Sequence, residues 1–151
     1  YRHQNPRGER LGLCLTTAAD RCNNKLIGIH DFGEPGELPP GADRDGHGTA
    51  VASLAAGNPA GHLQQTPTNS ATIQISGMAP RANLVSYQAI HGFPGSIMAA
   101  LDQAVLDRVD IVNMSFGLTN RRYSSVGTLE QALLQMREAG ILPVASAGNL
   151  G

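Results

Sequence analysis

The stretch "SIMAALDQAVLDRVDIVNMS", residues 96–115, joins two hydrophobic patterns of different period. In its first half Ile97, Leu101 and Val105 recur at helical spacing, and Ser96 stands where an N-cap is expected. Its last part, "VDIVNMS", residues 109–115, is nearly continuous in apolar residues, which is typical of a buried strand. The stretch therefore predicts a helix that is followed directly by a strand.

The same alternation continues on both sides of this stretch. "ANLVSYQAI", residues 82–90, predicts a preceding strand, and "ILPVAS", residues 141–146, predicts a following one. Between them "TLEQALLQMREAG", residues 128–140, predicts a helix with a capping box that begins at Thr128 and a stop at Gly140. Alternating strands and helices imply right-handed crossovers. The predicted fold class is therefore α/β, a three-layer architecture with a mostly parallel sheet and helices on both faces.

The amino-terminal part of the chain is less regular. Residues 1–24 are predicted as a loop region, and residues 25–151 as the core. Within that core the sequence predicts a strand, a turn-rich segment, a helix of small residues and a polar loop, at residues 25–32, 33–46, 48–56 and 58–70.

Composition limits the classes of partner. The chain has 151 residues, of which 41% are hydrophobic, and a formal net charge of -1, which suits one globular core and gives no excess positive field for nucleic acid. The longest apolar runs, such as residues 141–147, are far shorter than the roughly 18 to 20 residues that span a bilayer. We expect neither a nucleic-acid partner nor a membrane partner.

The two cysteines, Cys14 and Cys22, are close in sequence. A loop of this length is able to close as a disulfide, and two unrelated buried thiols are the alternative. No further His or Cys lies at a spacing that would complete a zinc site. The residues alone leave the bridge and the free thiols open.

His47 lies between Gly46 and Gly48, where the 48–56 helix is predicted to begin. A hydrogen-bonded structural histidine is the ordinary interpretation of a single His. The two glycines, however, leave the ring accessible, and the positive end of a helix dipole favours the neutral imidazole. These features favour a general base.

Two other chemical interpretations match their patterns only in part. Asp43, Asp45 and His47 alternate as at the start of an EF-hand loop, but Leu54 stands where the bidentate Glu belongs. Calcium therefore stays an open alternative that this segment does not support. "NMSFG" around Ser115 partly matches a nucleophile elbow, which requires the order Ser, acid, His. Every histidine precedes Ser115, which excludes that class.

In open α/β sheets, ligands bind at the carboxyl ends of the strands. "NMSFG" and "ASAGNLG", residues 113–117 and 145–151, fall at two such ends and are rich in small residues. These two loops are the predicted binding surface.

Four blocks taken together resemble a known family, the subtilisin-like serine proteases (subtilases, peptidase family S8). The resemblance covers about residues 25–151, and the blocks are "DGHGTAVASLAAG", "GMAPRANLVSYQ", "DQAVLDRVDIVNMSFG" and "GILPVASAGNLG". "CNNKLIGIHDF", residues 22–32, further resembles the larger secreted plant and bacterial members, in which a paired cysteine precedes this segment. The resemblance therefore implies a Cys14–Cys22 disulfide and a secreted, extracellular location.

The resemblance also implies roles for individual residues. His47 matches the general base, and Asn149 matches the side-chain donor of the oxyanion hole. The substrate-binding walls are implied at two segments, Ser115, Phe116 and Gly117 on one side and Ala145, Ser146, Ala147 and Gly148 on the other. The implied partner is a polypeptide substrate, and no cofactor or metal is implied.

The family's triad order is Asp, His, Ser, and neither the serine segment nor a clear aspartate block is present. Asp31 ends a strand before "FG", yet its block matches the segment between the two catalytic residues. We therefore expect an interior fragment of a catalytic domain, inactive alone, whose partner is the remainder of that domain with an inserted protease-associated domain. The alternative function is a non-catalytic peptide-binding relative that keeps the cleft.

Overall fold

The structure is a computed structural model that describes residues 2–36, 38–66, 69–90, 95–117 and 126–149. Its strands are β1 (Leu11–Gly12), β2 (Leu26–Asp31), β3 (Ala60–Thr66), β4 (Asn69–Ile75), β5 (Leu84–Gln88), β6 (Ile111–Met114) and β7 (Leu142–Ala145). Its α-helices are α1 (His47–Ala56), α2 (Ser96–Leu106) and α3 (Val126–Glu138), and a 3-10 turn covers Leu13–Leu15.

The chain divides into two structural units, each with contacts of its own. The first unit contains Tyr1–His30 and Gly36–Ser86. The second unit contains Asp31–Pro35 and Tyr87–Gly151. The two units are described separately below.

A disulfide organises the amino-terminal part of the first unit. Cys14 and Cys22 are bonded, with their Cα atoms 5.6 Å apart, and both side chains are buried. They pack with Ala18 and Ile29, so the bridge holds the loop region against the inner face of β2. The implied disulfide is confirmed. Cross-linking of this kind stabilises a fold chiefly by restricting its unfolded chain.

β2 is the central strand of a three-stranded sheet in the order β1-β2-β5. β1 pairs with β2 in parallel, with Leu11 opposite Gly28. The Leu84 amide donates to the Lys25 carbonyl at 2.7 Å at the start of β5. The predicted strands at residues 25–32 and 82–90 are therefore confirmed as β2 and β5.

The polar segment predicted as a loop at residues 58–70 instead contributes to a β-hairpin, so that prediction is wrong. β3 and β4 pair antiparallel over seven residues each, from Ala60 opposite Ile75 to Thr66 opposite Asn69. The segment carries few apolar residues, so hydrophobic alternation is weak. Paired backbone amides and carbonyls hold a hairpin together without such a pattern.

α1 ends against a second backbone segment, residues 77–79. The amides of Gly77, Met78 and Ala79 donate to carbonyls at the end of the helix, at 2.8 to 3.0 Å. A Cβ at Gly77 would lie 2.3 Å from the Gly57 nitrogen. Only glycine allows this approach. The carbonyls of Leu54 and Ala55, in the last turn of α1, are thereby satisfied.

The second unit builds its core from α2, α3 and the parallel pair β6–β7. In that pair Ile111 lies opposite Leu142, and Met114 opposite Ala145. The buried side chains of the core are Leu101, Ala104, Met114, Ala132, Met136 and Ile141. The helices and strands predicted here from hydrophobic periodicity are confirmed, and with them the α/β class.

The helix ends differ from expectation at two of three positions. The Ser96 hydroxyl does not cap α2 but donates to the Phe32 carbonyl at 2.7 Å, from a buried position. Thr128 lies inside α3, which begins at Val126, so the predicted capping box is wrong. Gly140 does end α3, because its amide donates to the Arg137 carbonyl and the next amide reaches the carbonyl of Met136, as in a Schellman motif.

A carboxylate is buried where α2 ends. Asp107 is 7% exposed. Its two oxygens accept hydrogen bonds from the Tyr87 hydroxyl at 2.6 Å and from the Gln103 amide at 2.9 Å. The negative end of the helix dipole disfavours a carboxylate there, so these donors compensate for an unfavourable location.

Removing the phenol hydroxyl tests this network. We expect Tyr87→Phe to lower the free energy of unfolding by about 1.5 to 3 kcal/mol, because a buried charged acceptor loses a short hydrogen bond. Chemical denaturation measures the change. In an Asp107→Asn background, Tyr87→Phe is expected to lower the free energy of unfolding by clearly less. A coupling energy near zero between the two sites would contradict a stabilising hydrogen bond between Tyr87 and Asp107.

Among the described residues, no helix is both long enough and apolar enough to cross a membrane.

Candidate functional site

His47 is the first residue of α1, and its side chain is exposed. The preceding Gly46 is the N-cap and adopts a left-handed conformation with φ of 80°. The His47 amide donates to the Asp45 carboxylate at 2.8 Å, which satisfies one of the amides that a helix start leaves without an intrahelical acceptor. The fold thus presents His47 at a capped helix start.

Asp43 supplies further acceptors at this helix start. One of its oxygens accepts the Thr49 amide at 2.7 Å and the Thr49 hydroxyl at 2.6 Å, and the other accepts the Gly46 amide at 3.1 Å. The Thr49 hydroxyl and amide hold the pKa of the Asp43 carboxyl below its usual range, because they stabilise the ionised form. Asp43 therefore caps α1 with its side chain, because Gly46 at the N-cap position has no side chain to do so.

Loss of this acceptor is expected to destabilise the protein in a pH-dependent way. We expect Asp43→Ala to cost about 1 kcal/mol of unfolding free energy at neutral pH, the size typical of a removed helix cap. Because the folded pKa of Asp43 is lowered, its contribution is present above the unfolded pKa of about 4 and is lost as the pH falls through the folded value.

Denaturation of the variant and the parent between pH 3 and pH 7 measures this difference. Asp20→Ala is a suitable control, since Asp20 is an exposed carboxylate of the same unit. A difference that persists unchanged at pH 3, or one matched by the control, would contradict the capping role of Asp43.

The two acidic residues before His47 are engaged in helix capping. Asp43 and Asp45 direct their oxygens at backbone amides of the helix start. In the described part of the chain, no three His, Cys, Asp or Glu side chains form a group able to hold a metal ion. The alternating acids that imitate a calcium loop thus have a structural use.

The two predicted substrate walls lie side by side in the second unit. They follow β6 and β7, which are parallel and in register from Ile111 to Met114, so both segments leave the sheet at one edge. A Cβ built at Gly117 would lie 3.9 Å from the Cα of Gly148, which is ordinary contact distance. The structure therefore brings residues 115–117 and residues 145–148 together.

Hydrogen bonds fix this edge. The Ser146 amide donates to the Met114 carbonyl at 3.1 Å, and the Ser146 hydroxyl donates to the Phe116 carbonyl at 3.0 Å. The Asn113 amide group donates to the Ser115 hydroxyl at 2.9 Å. Sequence reasoning did not identify the hydroxyl bond of Ser146, because nothing in the motif separates a serine that binds the opposite loop from one that faces solvent.

Asn149 follows the second wall and is exposed, in a bend after β7. An exposed carboxamide at the carboxyl end of a strand is able to donate to a ligand at that edge. His47 belongs to the first unit and Asn149 to the second. The roles of both residues remain predictions.

Asp31, the alternative triad aspartate, ends β2 and is half-buried. Its carboxylate accepts the Gly33 amide at 2.8 Å, which closes the turn after the strand. This bond accounts for an aspartate at a strand end. Its catalytic alternative stays untested.

Comparison with known proteins gives one family. The model described as the subtilase family matches residues 19–151. Subtilisin-like protease SBT2.1 of Arabidopsis thaliana is 39% identical over 168 aligned residues, which cover 93% of this chain and 19% of that protein. Subtilisin-like proteases SBT2.2 and SBT4.6 of the same plant are 36% and 35% identical, each over 93% of this chain and over 18% and 20% of their own lengths. The chain thus spans about a fifth of the length of these relatives.

Proposed function

Because the chain belongs to the subtilase family, we propose that it is a segment of a secreted serine endopeptidase and carries the histidine base, two cleft walls and the oxyanion asparagine. The serine nucleophile and the triad aspartate belong to the rest of the protein. The substrate is a polypeptide, and the remainder of the protease domain, with an inserted protease-associated domain, completes the site. No cofactor takes part in this chemistry.

One observation carries the proposal. The parallel pair β6–β7 delivers residues 115–117 and residues 145–149 to a single edge, where the two segments touch. Main-chain groups along such an edge pair with an extended peptide, as added strands do. The small residues Ala145, Ala147 and Gly148 leave room beside it for a sizeable apolar side chain.

Each proposed residue has one chemical task. His47 takes the proton from the serine hydroxyl as it attacks the carbonyl, and returns that proton to the leaving amine. Asn149 donates a hydrogen bond to the oxygen that becomes negative, so it stabilises charge that is absent from the ground state. Capping of α1 by Asp43 and Asp45 supports the backbone from which His47 projects.

The proposed extracellular location is supported by the disulfide. The Cys14–Cys22 bond closes a short loop in a buried cluster. Disulfides of this kind persist in oxidising compartments and are rare in the cytosol of most cells.

The experiment is covalent labelling of the full-length gene product with a fluorophosphonate probe, which reacts with activated serines. We expect close to one label per molecule, at a serine outside residues 1–151. The isolated segment is expected to remain unlabelled, since a base without a nucleophile has nothing to activate. Peptide binding by an unlabelled full-length product would reject the enzyme and favour the non-catalytic peptide-binding alternative.

A further inference from the structure

The hydrogen bond of Ser146 lies just beyond the last rung of the β6–β7 ladder. In that ladder Met114 is opposite Ala145, and the Ser146 amide adds one more backbone bond, to the Met114 carbonyl. Past this point both strands have ended, β6 at Met114 and β7 at Ala145. Two loops that diverge from a sheet need another contact to keep a fixed spacing.

The side chain of Ser146 provides that contact. Its hydroxyl donates to the carbonyl of Phe116, two residues past the end of β6. The bond is 3.0 Å long and spans thirty positions of sequence. It ties the middle residue of the 115–117 wall to the loop that carries Asn149.

The carbonyl of Phe116 is therefore engaged within the protein. Phe116 is half-buried and packs against the core of the second unit, so its side chain and its carbonyl are both fixed. On the other side of the wall, Asn113 holds the hydroxyl of Ser115. The wall is thus anchored from two directions, and the Ser146 bond sets its distance from the opposite loop.

We propose that Ser146 is a positioning residue, whose hydroxyl bond to Phe116 holds residues 115–117, which pair with the peptide, at a fixed distance from the loop that carries the oxyanion donor. This inference rests on the proposed function. A peptide long enough to pair with residues 115–117 depends on that distance, because its scissile carbonyl must reach Asn149 while its main chain is paired. A substrate with a single residue before the scissile bond makes no further main-chain pairs along residues 115–117, so it depends less on how the two segments are held.

The test compares two p-nitroanilide substrates with the same residue at the scissile bond, an acetylated tetrapeptide and an acetylated single residue. In the full-length product, Ser146→Ala is expected to lower kcat/KM per fluorophosphonate-labelled site by about 3- to 10-fold for the tetrapeptide, the size expected for one hydrogen bond. For the single residue the fall is expected to be clearly smaller than for the tetrapeptide. Ser146→Thr, which keeps the hydroxyl, is expected to restore the tetrapeptide rate.

Ser53→Ala is the matched control, because the Ser53 hydroxyl also donates to a backbone carbonyl, that of Ala50 within α1, at 2.7 Å. It should leave the ratio of the two rates unchanged. An equal fall for both substrates, or no fall for either, overturns the positioning role while labelling still supports the enzyme. Absence of labelling and of hydrolysis in the parent protein would instead remove the proposed function and this inference together.

Discussion

Replacing His47 by alanine is expected to abolish peptide hydrolysis by the full-length product. The fall in kcat should be on the order of 10⁶, a magnitude that is known from subtilisin itself for loss of its histidine base. The physical reason is that the serine hydroxyl is a weak nucleophile until a neighbouring base removes its proton. Fluorophosphonate labelling should disappear in parallel, since it depends on the same activation.

The structure makes this variant easy to interpret. His47 is exposed and occupies the first position of α1, where alanine is well tolerated, so the unfolding free energy is expected to change by less than about 0.5 kcal/mol. His3→Ala is the control, because His3 is a histidine of the same unit that bonds to Asn58. A His47→Ala protein that hydrolyses peptide as fast as the His3→Ala protein would reject His47 as the base.

Elements with strong apolar periodicity were predictable from the sequence. α2, α3, β6 and β7 share one core, and burial of that core demands the helical and strand spacings seen in the sequence. The end of α3 was also predictable, since glycine readily adopts the left-handed conformation of a Schellman motif. α2 ends in the same motif, but there the left-handed residue is Arg108, with φ of 51°. No local rule places an arginine in that conformation.

Elements held by hydrogen bonds were harder to predict. The β3–β4 hairpin depends on backbone pairing rather than on an apolar face, and Pro67 and Thr68 between its strands lie outside the described residues. Ser96 illustrates the same difficulty, because a serine before a helix fits both a cap and the bond that it makes to the Phe32 carbonyl. The choice between such partners depends on tertiary contacts, which local sequence patterns do not contain.

For the candidate site, the sequence pattern located the loops, and the family resemblance supplied the roles. Two strand ends rich in small residues were expected to form one surface, and residues 115–117 and 145–148 do touch. Periodicity alone does not separate a catalytic carboxamide from an exposed one, so the role of Asn149 came only from the resemblance. The Cys14–Cys22 disulfide is a second example, because the spacing of the cysteines allowed either a disulfide or two free thiols, and only the resemblance favoured the disulfide.

Replacing Asn149 by alanine is expected to lower kcat of the full-length product by about 10²- to 10³-fold, a magnitude that is known from subtilisin itself for the corresponding donor. KM should stay nearly constant, because the hydrogen bond forms with a charge that exists only in the transition state.

Asn149→Asp is the matched variant, since it keeps the size of the side chain and removes the N–H donor. It should be at least as slow as Asn149→Ala. Steady-state kinetics with a peptide substrate separates the two parameters. A rise in KM at constant kcat would mean that Asn149 binds the substrate in its ground state, and would leave the oxyanion role to other donors.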